Sequence, residues 1–256
     1  MDKEVDKDRS VYRLSILIEV VFGGLRTRFF WWGLLLAGCI LPNCLPGQPL
    51  YTKPPVIEKM QAYRELIRTD PDQQLIELRL LIPAIVYDLR YATANNFTGQ
   101  ALYPVSLSAC YLRRPAALAL ARVAASLQQR GLGLKIFDAY RPYHVTERFW
   151  QLIGDDRYVA HPAKGSGHNR GIAVDLTLTD LRTGKEIDMG TDFDNFTDSA
   201  HHTFTKLDEP VLKNRDLLRK EMIQAGFVPL ETEWWHYALP NGAGYPLLNI
   251  SFKKLK

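Results

Sequence analysis

The chain has 256 residues, of which 46% are hydrophobic and 23% are charged, and this balance suits one globular domain preceded by a targeting segment. The net charge of +4 is small and the basic residues are scattered, so the composition does not support binding to nucleic acid. The three cysteines include no C-x-x-C pair, which disfavours both a thiolate zinc site and a disulfide framework.

The N-terminal residues 1–41 have the features of an export signal. Arg26 and Arg28 precede an apolar run at residues 29–36, in the order of the n-region and h-region of a secretory signal. A Leu-Ala-Gly-Cys sequence ending at Cys39 is similar to the bacterial lipobox, whose cysteine is lipidated. We expect a lipoprotein of the bacterial periplasm or cell envelope, with an uncleaved membrane anchor as the alternative. If translation starts downstream of this segment, the protein is cytoplasmic.

A tether rich in proline and glycine follows at residues 42–55, and a folded domain is expected over residues 56–256. The predicted helices, the clearest of which is bounded by Pro115 and Gly131, cover residues 56–68, 116–129, 145–153 and 209–224. The predicted strands cover residues 75–82, 85–91, 134–137, 172–174, 227–230 and 234–239, with a hairpin turn at Thr183-Gly184. Because strands and helices mix without regular βαβ alternation, we expect a single α+β domain, in which helices surround an antiparallel sheet that carries the functional site.

The stretch from Ser166 to Asp175 carries the strongest chemical signal. A glycine-rich loop leads from His168 into a short β-branched strand, so that loop and strand can aim an imidazole and a carboxylate at one point. A later Glu-Trp-Trp-His sequence adds His236, with Glu233 beside it. A lone histidine next to a strand is usually structural, but two histidines, an aspartate and a spare glutamate together favour a metal site. Two histidines and one aspartate leave the fourth position of a tetrahedral zinc ion open for water.

These residues resemble the zinc D-alanyl-D-alanine dipeptidases of the VanX type, within the wider group of D-Ala-D-Ala metallopeptidases. The signature of that family is S-x-H-x-x-G-x-A-x-D followed by E-x-W-H, and both parts are present here unbroken. The resemblance runs from about Tyr87 to about Leu239 and includes an Asp-Ala-Tyr-Arg-Pro sequence that contains Arg141. It implies one Zn²⁺ per chain and hydrolysis of free D-Ala-D-Ala in peptidoglycan metabolism. For an exported enzyme, scavenging of wall-derived dipeptide fits better than vancomycin resistance.

We interpret His168, Asp175 and His236 as the zinc ligands, and Glu233 as the general base that moves the proton of the attacking water to the leaving amine. In an ideal strand, the side chains of Glu233 and His236 would point to opposite faces. Glu233 is therefore expected in a preceding turn or at a bulge.

The remaining site residues depend more on the resemblance. It gives Arg141 the role of stabilising the oxyanion, with Asp138 orienting the guanidinium; an ion pair at the surface is the alternative. It also makes Asp194 the candidate for the substrate ammonium and Ser166 the candidate for a polar contact to the substrate. The alternatives are that Asp194 is a turn residue and that Ser166 bonds within its own loop.

Other aromatic residues and histidines receive no chemical role. Trp234 and Trp235 are expected as pocket walls or core, the usual place of bulky aromatics. The remaining four histidines are interpreted as structural or exposed: His144, His161, His201 and His202.

Two other functions use the same residues. A D,D- or L,D-carboxypeptidase trimming peptidoglycan stem peptides shares the zinc chemistry but has an open cleft. A non-catalytic zinc-stabilised binding module, as in hedgehog-type relatives of the fold, needs neither Glu233 nor Arg141. Activity on free D-Ala-D-Ala and on a stem pentapeptide, with and without a chelator, separates the three.

Overall fold

The computed structural model describes residues 51–255. The predicted leader with Cys39 and the first part of the tether lie outside the described residues. Within residues 51–255, no helix combines the length and the apolar character needed to cross a membrane.

The part of the chain that the structure describes contains four α-helices and nine β-strands. The helices are α1 (Met60–Thr69), α2 (Arg114–Gln128), α3 (Tyr143–Ile153) and α4 (Glu209–Gln224). The strands are β1 (Val56–Ile57), β2 (Leu75–Glu77), β3 (Val86–Tyr87), β4 (Tyr111–Arg113), β5 (Leu132–Asp138), β6 (Ala173–Asp180), β7 (Val228–Leu230), β8 (Glu233–Ala238) and β9 (Leu247–Leu248). The mixture of helices and strands confirms the α+β prediction.

Three of the four predicted helices form close to their predicted bounds. Pro115 lies in the first turn of α2, where its missing N–H costs no hydrogen bond, and Gly154 ends α3 in the left-handed conformation with φ +65°. The predicted helix over 56–68 is wrong at its start. Val56 and Ile57 pair in parallel with β9, and the helix begins only at Met60.

The main sheet has five strands in the order β3-β5-β6-β8-β7. All neighbouring strands in it are antiparallel except β3 and β5, which are parallel. The prediction of an antiparallel sheet is therefore right for the strands that carry the site and wrong for one edge. The chain between β3 and β5 includes β4 and α2, a connection long enough to return the chain in the same direction.

Two strands are shorter in the structure than the apolar runs from which they were predicted. The run over 75–82 pairs with β4 only as far as Glu77, because the chain turns into a 3₁₀ helix at Leu78. The N–H groups of Leu81 and Ile82 both donate to the Leu78 carbonyl, at 3.1 and 2.9 Å. The run over 85–91 likewise forms a strand only at Val86–Tyr87. In the rest of these runs, Leu78, Ile82 and Leu89 are buried without strand pairing, whereas Leu80 is exposed.

The core is built on β5 and β6. Leu176 and Leu178 on β6 are fully buried, and α2 packs its apolar face, including Leu120 and Leu127, into the same cluster. Side chains alternate along a strand, so Asp175 points to the opposite face of β6 from Leu176. The predicted turn at 183–184 forms after β6, closed by a hydrogen bond of 2.9 Å from the Asp180 N–H to the Lys185 carbonyl.

Candidate active site

The loop before β6 folds back on its own strand and so brings His168 to the sheet. The N–H of Ile172 donates to the Gly167 carbonyl at 3.0 Å. A Cβ on Gly167 would lie 2.8 Å from the Cβ of Ala173, so the close approach requires glycine. His168 Nδ1 is 2.7 Å from the Ala139 carbonyl oxygen, which fixes this nitrogen as the donor and leaves Nε2 free for another partner.

Asn169, which the sequence analysis did not identify, joins this loop to its neighbours. Its amide nitrogen donates to the Arg141 carbonyl and to the Thr146 hydroxyl, both at 2.9 Å. Its amide oxygen accepts from the Ser166 N–H at 3.0 Å. Asn169 is fully buried, so these bonds fix the position of the loop that carries His168.

His168, Asp175 and His236 converge on one point. β6 and β8 place Asp175 directly opposite His236. His236 Nδ1 lies 2.8 Å from Asp175 Oδ1, and His168 Nε2 lies 3.3 Å from Asp175 Oδ2 and 3.2 Å from His236 Nδ1. Burial alone would raise the pKa of Asp175, but the two imidazoles hold it well below its usual range. Two imidazole nitrogens and an ionised carboxylate that face each other fit a divalent metal ion.

Glu233 lies beside this group because the β7–β8 ladder is irregular. Pro229 faces Tyr237, whereas the next residue of β7, Leu230, faces Glu233. The irregularity brings Glu233 Oε2 to 3.9 Å from His236 Nδ1 and agrees with the expectation that Glu233 lies in a turn or at a bulge. Burial raises the pKa of the Glu233 carboxyl above its ordinary value.

Arg141 reaches the cavity from the segment after β5. Its Nε and Nη2 atoms both donate to Asp138 Oδ2, at 2.9 and 2.7 Å, and its guanidinium lies over the rings of Phe149 and Tyr91. A bulge in β5 sets Asp138 opposite Asp175. Arg141 is almost completely buried, so it is not the surface ion pair that was the alternative.

Asp194 also lines the cavity and has a left-handed backbone conformation, with φ +61°. A non-glycine residue pays a steric cost there, and such strain concentrates at functional sites. Both carboxylate oxygens lie 3.1 Å from the hydroxyl of Tyr91, a residue that was not predicted to belong to the site. Burial raises the pKa of Asp194 well above its usual range, and the nearby Asp175 adds to the effect. A cation beside Asp194 would restore its charged form.

A cavity of about 380 Å³ contains all of these groups. Its walls include every residue that the sequence predicts as catalytic, metal-binding or substrate-binding: Arg141, Ser166, His168, Asp175, Asp194, Glu233 and His236. The Ser166 hydroxyl also accepts from the Asn169 N–H at 3.2 Å, so Ser166 bonds within its own loop as well as facing the cavity. Trp235 forms part of the wall and Trp234 is buried, as predicted.

The four histidines without a predicted role do not line this cavity. His144 Nδ1 lies 2.7 Å from Asn249 Oδ1, and His161 packs edge-on against Trp150. His202 packs against Tyr237, and its burial lowers the pKa of the imidazole to about 4.

Comparison with known proteins gives the family. The sequence profile described as Peptidase_M15, D-ala-D-ala dipeptidase, matches residues 72–254. The chain belongs to this family. Membership in the D-Ala-D-Ala dipeptidase family makes the chain a metallopeptidase. Within residues 51–255, His168, Asp175 and His236 are the group of side chains that could hold the metal.

Individual relatives agree with the family match. The D-alanyl-D-alanine dipeptidase of Escherichia coli (strain K12) is 40% identical over 179 residues, which cover 70% of this chain and 91% of the relative. The protein of the same name from Enterococcus faecalis (strain ATCC 700802 / V583) is 31% identical over 177 residues, or 62% of this chain and 88% of the relative. The solved structure of VanYB in complex with D-Alanine-D-Alanine is 14% identical and covers 53% of this chain and 75% of its own. Its TM-score of 0.34 is too low to carry a conclusion.

Proposed function

We propose that the chain is a zinc-dependent dipeptidase that hydrolyses free D-Ala-D-Ala to D-alanine. The observation that carries this proposal is the content of one cavity. The His/Asp/His group shares it with a free glutamate, a buried guanidinium and a second carboxylate placed for an ammonium. The name of the family and of its relatives supports the choice of dipeptide.

His168, Asp175 and His236 are the residues that would hold one Zn²⁺. Neutral imidazole and carboxylate donors suit this ion, and a set of three leaves a position for water or substrate. When bound, zinc supplies Lewis acidity and lowers the pKa of water towards neutrality. The bond from His168 Nδ1 to the Ala139 carbonyl, at 2.7 Å, sets the tautomer that presents Nε2 to the ion.

Glu233 is the general base in this proposal. Its carboxylate takes the proton of the attacking water and passes it to the nitrogen of the leaving D-alanine. A pKa raised by burial suits both steps, because the same group must accept and release a proton near neutral pH. A metal site that only stabilises a fold has no use for this carboxylate, so Glu233 supports catalysis over a binding module.

Arg141 faces the carbonyl oxygen that becomes negative as water attacks. Asp138 binds Nε and Nη2, which leaves Nη1 as the guanidinium nitrogen available to the substrate. A guanidinium fixed in a cleft stabilises developing charge without reorganising during the reaction.

Asp194 selects a dipeptide by binding its ammonium, and Ser166 offers the substrate a polar contact. The carboxylate of Asp194 is held towards the cavity by the Tyr91 hydroxyl. In a stem peptide, the corresponding nitrogen is an uncharged amide, so the carboxylate would stay without a cation. This difference in charge between the two substrates favours dipeptidase activity over carboxypeptidase activity.

The direct test is the release of D-alanine by the zinc-loaded protein from two substrates, free D-Ala-D-Ala and a stem pentapeptide. We expect hydrolysis of the dipeptide alone, abolished by a chelator. Equal or preferential cleavage of the pentapeptide would identify a carboxypeptidase. Tight zinc binding with no hydrolysis of either substrate would identify a binding module.

We also infer that the enzyme is an exported lipoprotein that scavenges wall-derived dipeptide. The support for this is the leader at residues 1–41 with its lipobox-like cysteine. Labelled palmitate should enter the full-length protein expressed in a bacterium and should be absent from the Cys39→Ala variant. An unlabelled wild-type protein in the cytoplasm would refute the inference.

A further inference from the structure

We propose that Tyr103 is a positioning residue that orients Arg141 through Asp138. The Tyr103 hydroxyl holds one oxygen of the Asp138 carboxylate, so that Arg141 binds the other oxygen and keeps one guanidinium nitrogen for the substrate. This inference rests on the proposed function, in which Arg141 stabilises the oxyanion.

Tyr103 is itself rigidly placed. It lies between β3 and β4, far from the other site residues in sequence, and its side chain is buried. Its N–H donates to the Tyr91 carbonyl at 2.8 Å, and its ring packs edge-on against Tyr91 and Phe252. From this position, its hydroxyl donates to Asp138 Oδ1 at 2.7 Å. A tyrosine needed only for packing would not require a hydroxyl directed at a buried carboxylate.

The Asp138 carboxylate accepts four hydrogen bonds, two on each oxygen. Oδ1 accepts from the Tyr103 hydroxyl at 2.7 Å and from the Ala139 N–H at 2.9 Å. Oδ2 accepts from Arg141 Nε at 2.9 Å and Nη2 at 2.7 Å. The carboxylate is almost completely buried, so water does not compete for these positions. Its rotation is therefore set by donors from three different residues.

The pairing of Arg141 differs from the usual arrangement. An arginine and a free carboxylate commonly form two parallel bonds, one to each oxygen. Here both guanidinium donors share Oδ2, because Oδ1 is already held by Tyr103 and Ala139. The guanidinium plane is fixed further by the rings of Phe149 and Tyr91, 4.6 and 5.2 Å from Cζ. This arrangement leaves Nη1 as the guanidinium nitrogen that does not bond to Asp138 and can donate to a substrate in the cavity.

The test is Tyr103→Phe, which removes the hydroxyl and keeps the ring. We expect kcat for D-Ala-D-Ala to fall about tenfold while KM changes less than about twofold, because Arg141 acts on the transition state rather than on the bound dipeptide. Zinc content should be unchanged. The matched control is Tyr63→Phe, which removes another buried tyrosine hydroxyl, 2.7 Å from the Leu75 N–H and bonded outside the cavity. The control should lower the melting temperature and leave kcat unchanged.

A double-mutant cycle separates positioning from any independent effect. In an Arg141→Ala background, adding Tyr103→Phe should change kcat by less than about twofold, because the group that Tyr103 positions is already gone. A second tenfold loss in that background would overturn the proposal. So would an unchanged kcat in Tyr103→Phe alone.

A spectroscopic measurement distinguishes failure of this inference from failure of the proposed function. Wild-type protein without activity on D-Ala-D-Ala would refute the function. The ¹⁵N NMR signal of the Arg141 Nε–H group, assigned by its loss in Arg141→Lys, reports the guanidinium in the zinc-loaded protein without substrate. We expect Tyr103→Phe to shift this signal and Tyr63→Phe to leave it in place. An Arg141 signal unmoved by Tyr103→Phe would show that Tyr103 does not orient the guanidinium.

Discussion

Removal of the positive charge from the substrate tests the role of Asp194 most sharply. N-acetyl-D-Ala-D-Ala keeps the scissile bond and the free carboxylate, adds little bulk and replaces the ammonium by an amide. If Asp194 binds the ammonium, the acetylated substrate leaves this carboxylate without a cation inside the cavity. The Tyr91 hydroxyl, 3.1 Å from both oxygens, remains its neutral partner.

The size of the effect follows from the surroundings of Asp194. A charge-assisted contact is worth about 1.5–3 kcal/mol, and a fully buried charge that loses its partner costs about 3–5 kcal/mol. Burial raises the pKa of Asp194, so the carboxylate can take up a proton when it lacks a cation, and the lower part of this combined range applies. A loss of about 2–3 kcal/mol corresponds to a drop in kcat/KM of roughly 30- to 150-fold.

The assay is D-alanine release from the free and the acetylated dipeptide by wild type and Asp194→Asn. In wild type, the acetylated substrate should be cut roughly 30- to 150-fold more slowly. In Asp194→Asn, the free dipeptide should lose most of this advantage, because a neutral amide offers the ammonium a hydrogen-bond acceptor but no negative charge. Equal cleavage of both substrates by wild type would refute the reasoning and favour the carboxypeptidase.

Four further outcomes are expected. Replacement of any of the three proposed metal ligands by alanine should abolish tight zinc binding, and full metal content after one such change would remove that residue from the set. Glu233→Ala should keep its zinc and lose turnover by roughly 10²- to 10⁴-fold in steady-state assays; near-normal turnover would refute the role of Glu233 as the general base. Arg141→Lys should also be slow, because one ammonium cannot reproduce a planar guanidinium, and unchanged turnover would make Arg141 structural. Because burial lowers the pKa of His202 from 6.5 to about 4, the unfolded chain takes up a proton at this residue before the folded protein does. Stability should therefore fall as pH falls from 6.5 to 4, and melting temperatures of His202→Gln should fall less over that range; parallel curves would contradict this.

The sequence predicts the parts of the fold that local signals determine. Helix α2 has a proline in its first turn and Gly131 soon after its end, and its predicted bounds differ from the structure by two residues or fewer. The run over 75–82 has no such signal at Leu78, where the chain leaves the sheet. An apolar run indicates burial but does not fix the backbone conformation, and in this 3₁₀ turn Leu78 is buried while Leu80 is exposed.

In the candidate site too, the sequence predicts the contacts between residues that are close in the chain and does not predict those between distant residues. The spacing between His168 and Asp175, and the Asp-x-x-Arg spacing of Asp138 and Arg141, are short and are readable from sequence. The contact from Tyr91 to Asp194 joins residues 103 positions apart, and neither lies in a periodic element. No local sequence pattern predicts such a contact, because the two residues come together only in the folded chain.

The most direct measurement is the zinc dependence of D-Ala-D-Ala hydrolysis by the purified protein. Chelation should abolish D-alanine release, and one equivalent of Zn²⁺ should restore it in wild type but not in His236→Ala. Release that persists in metal-free protein, or no release from protein with one zinc bound per chain, would contradict the proposed function.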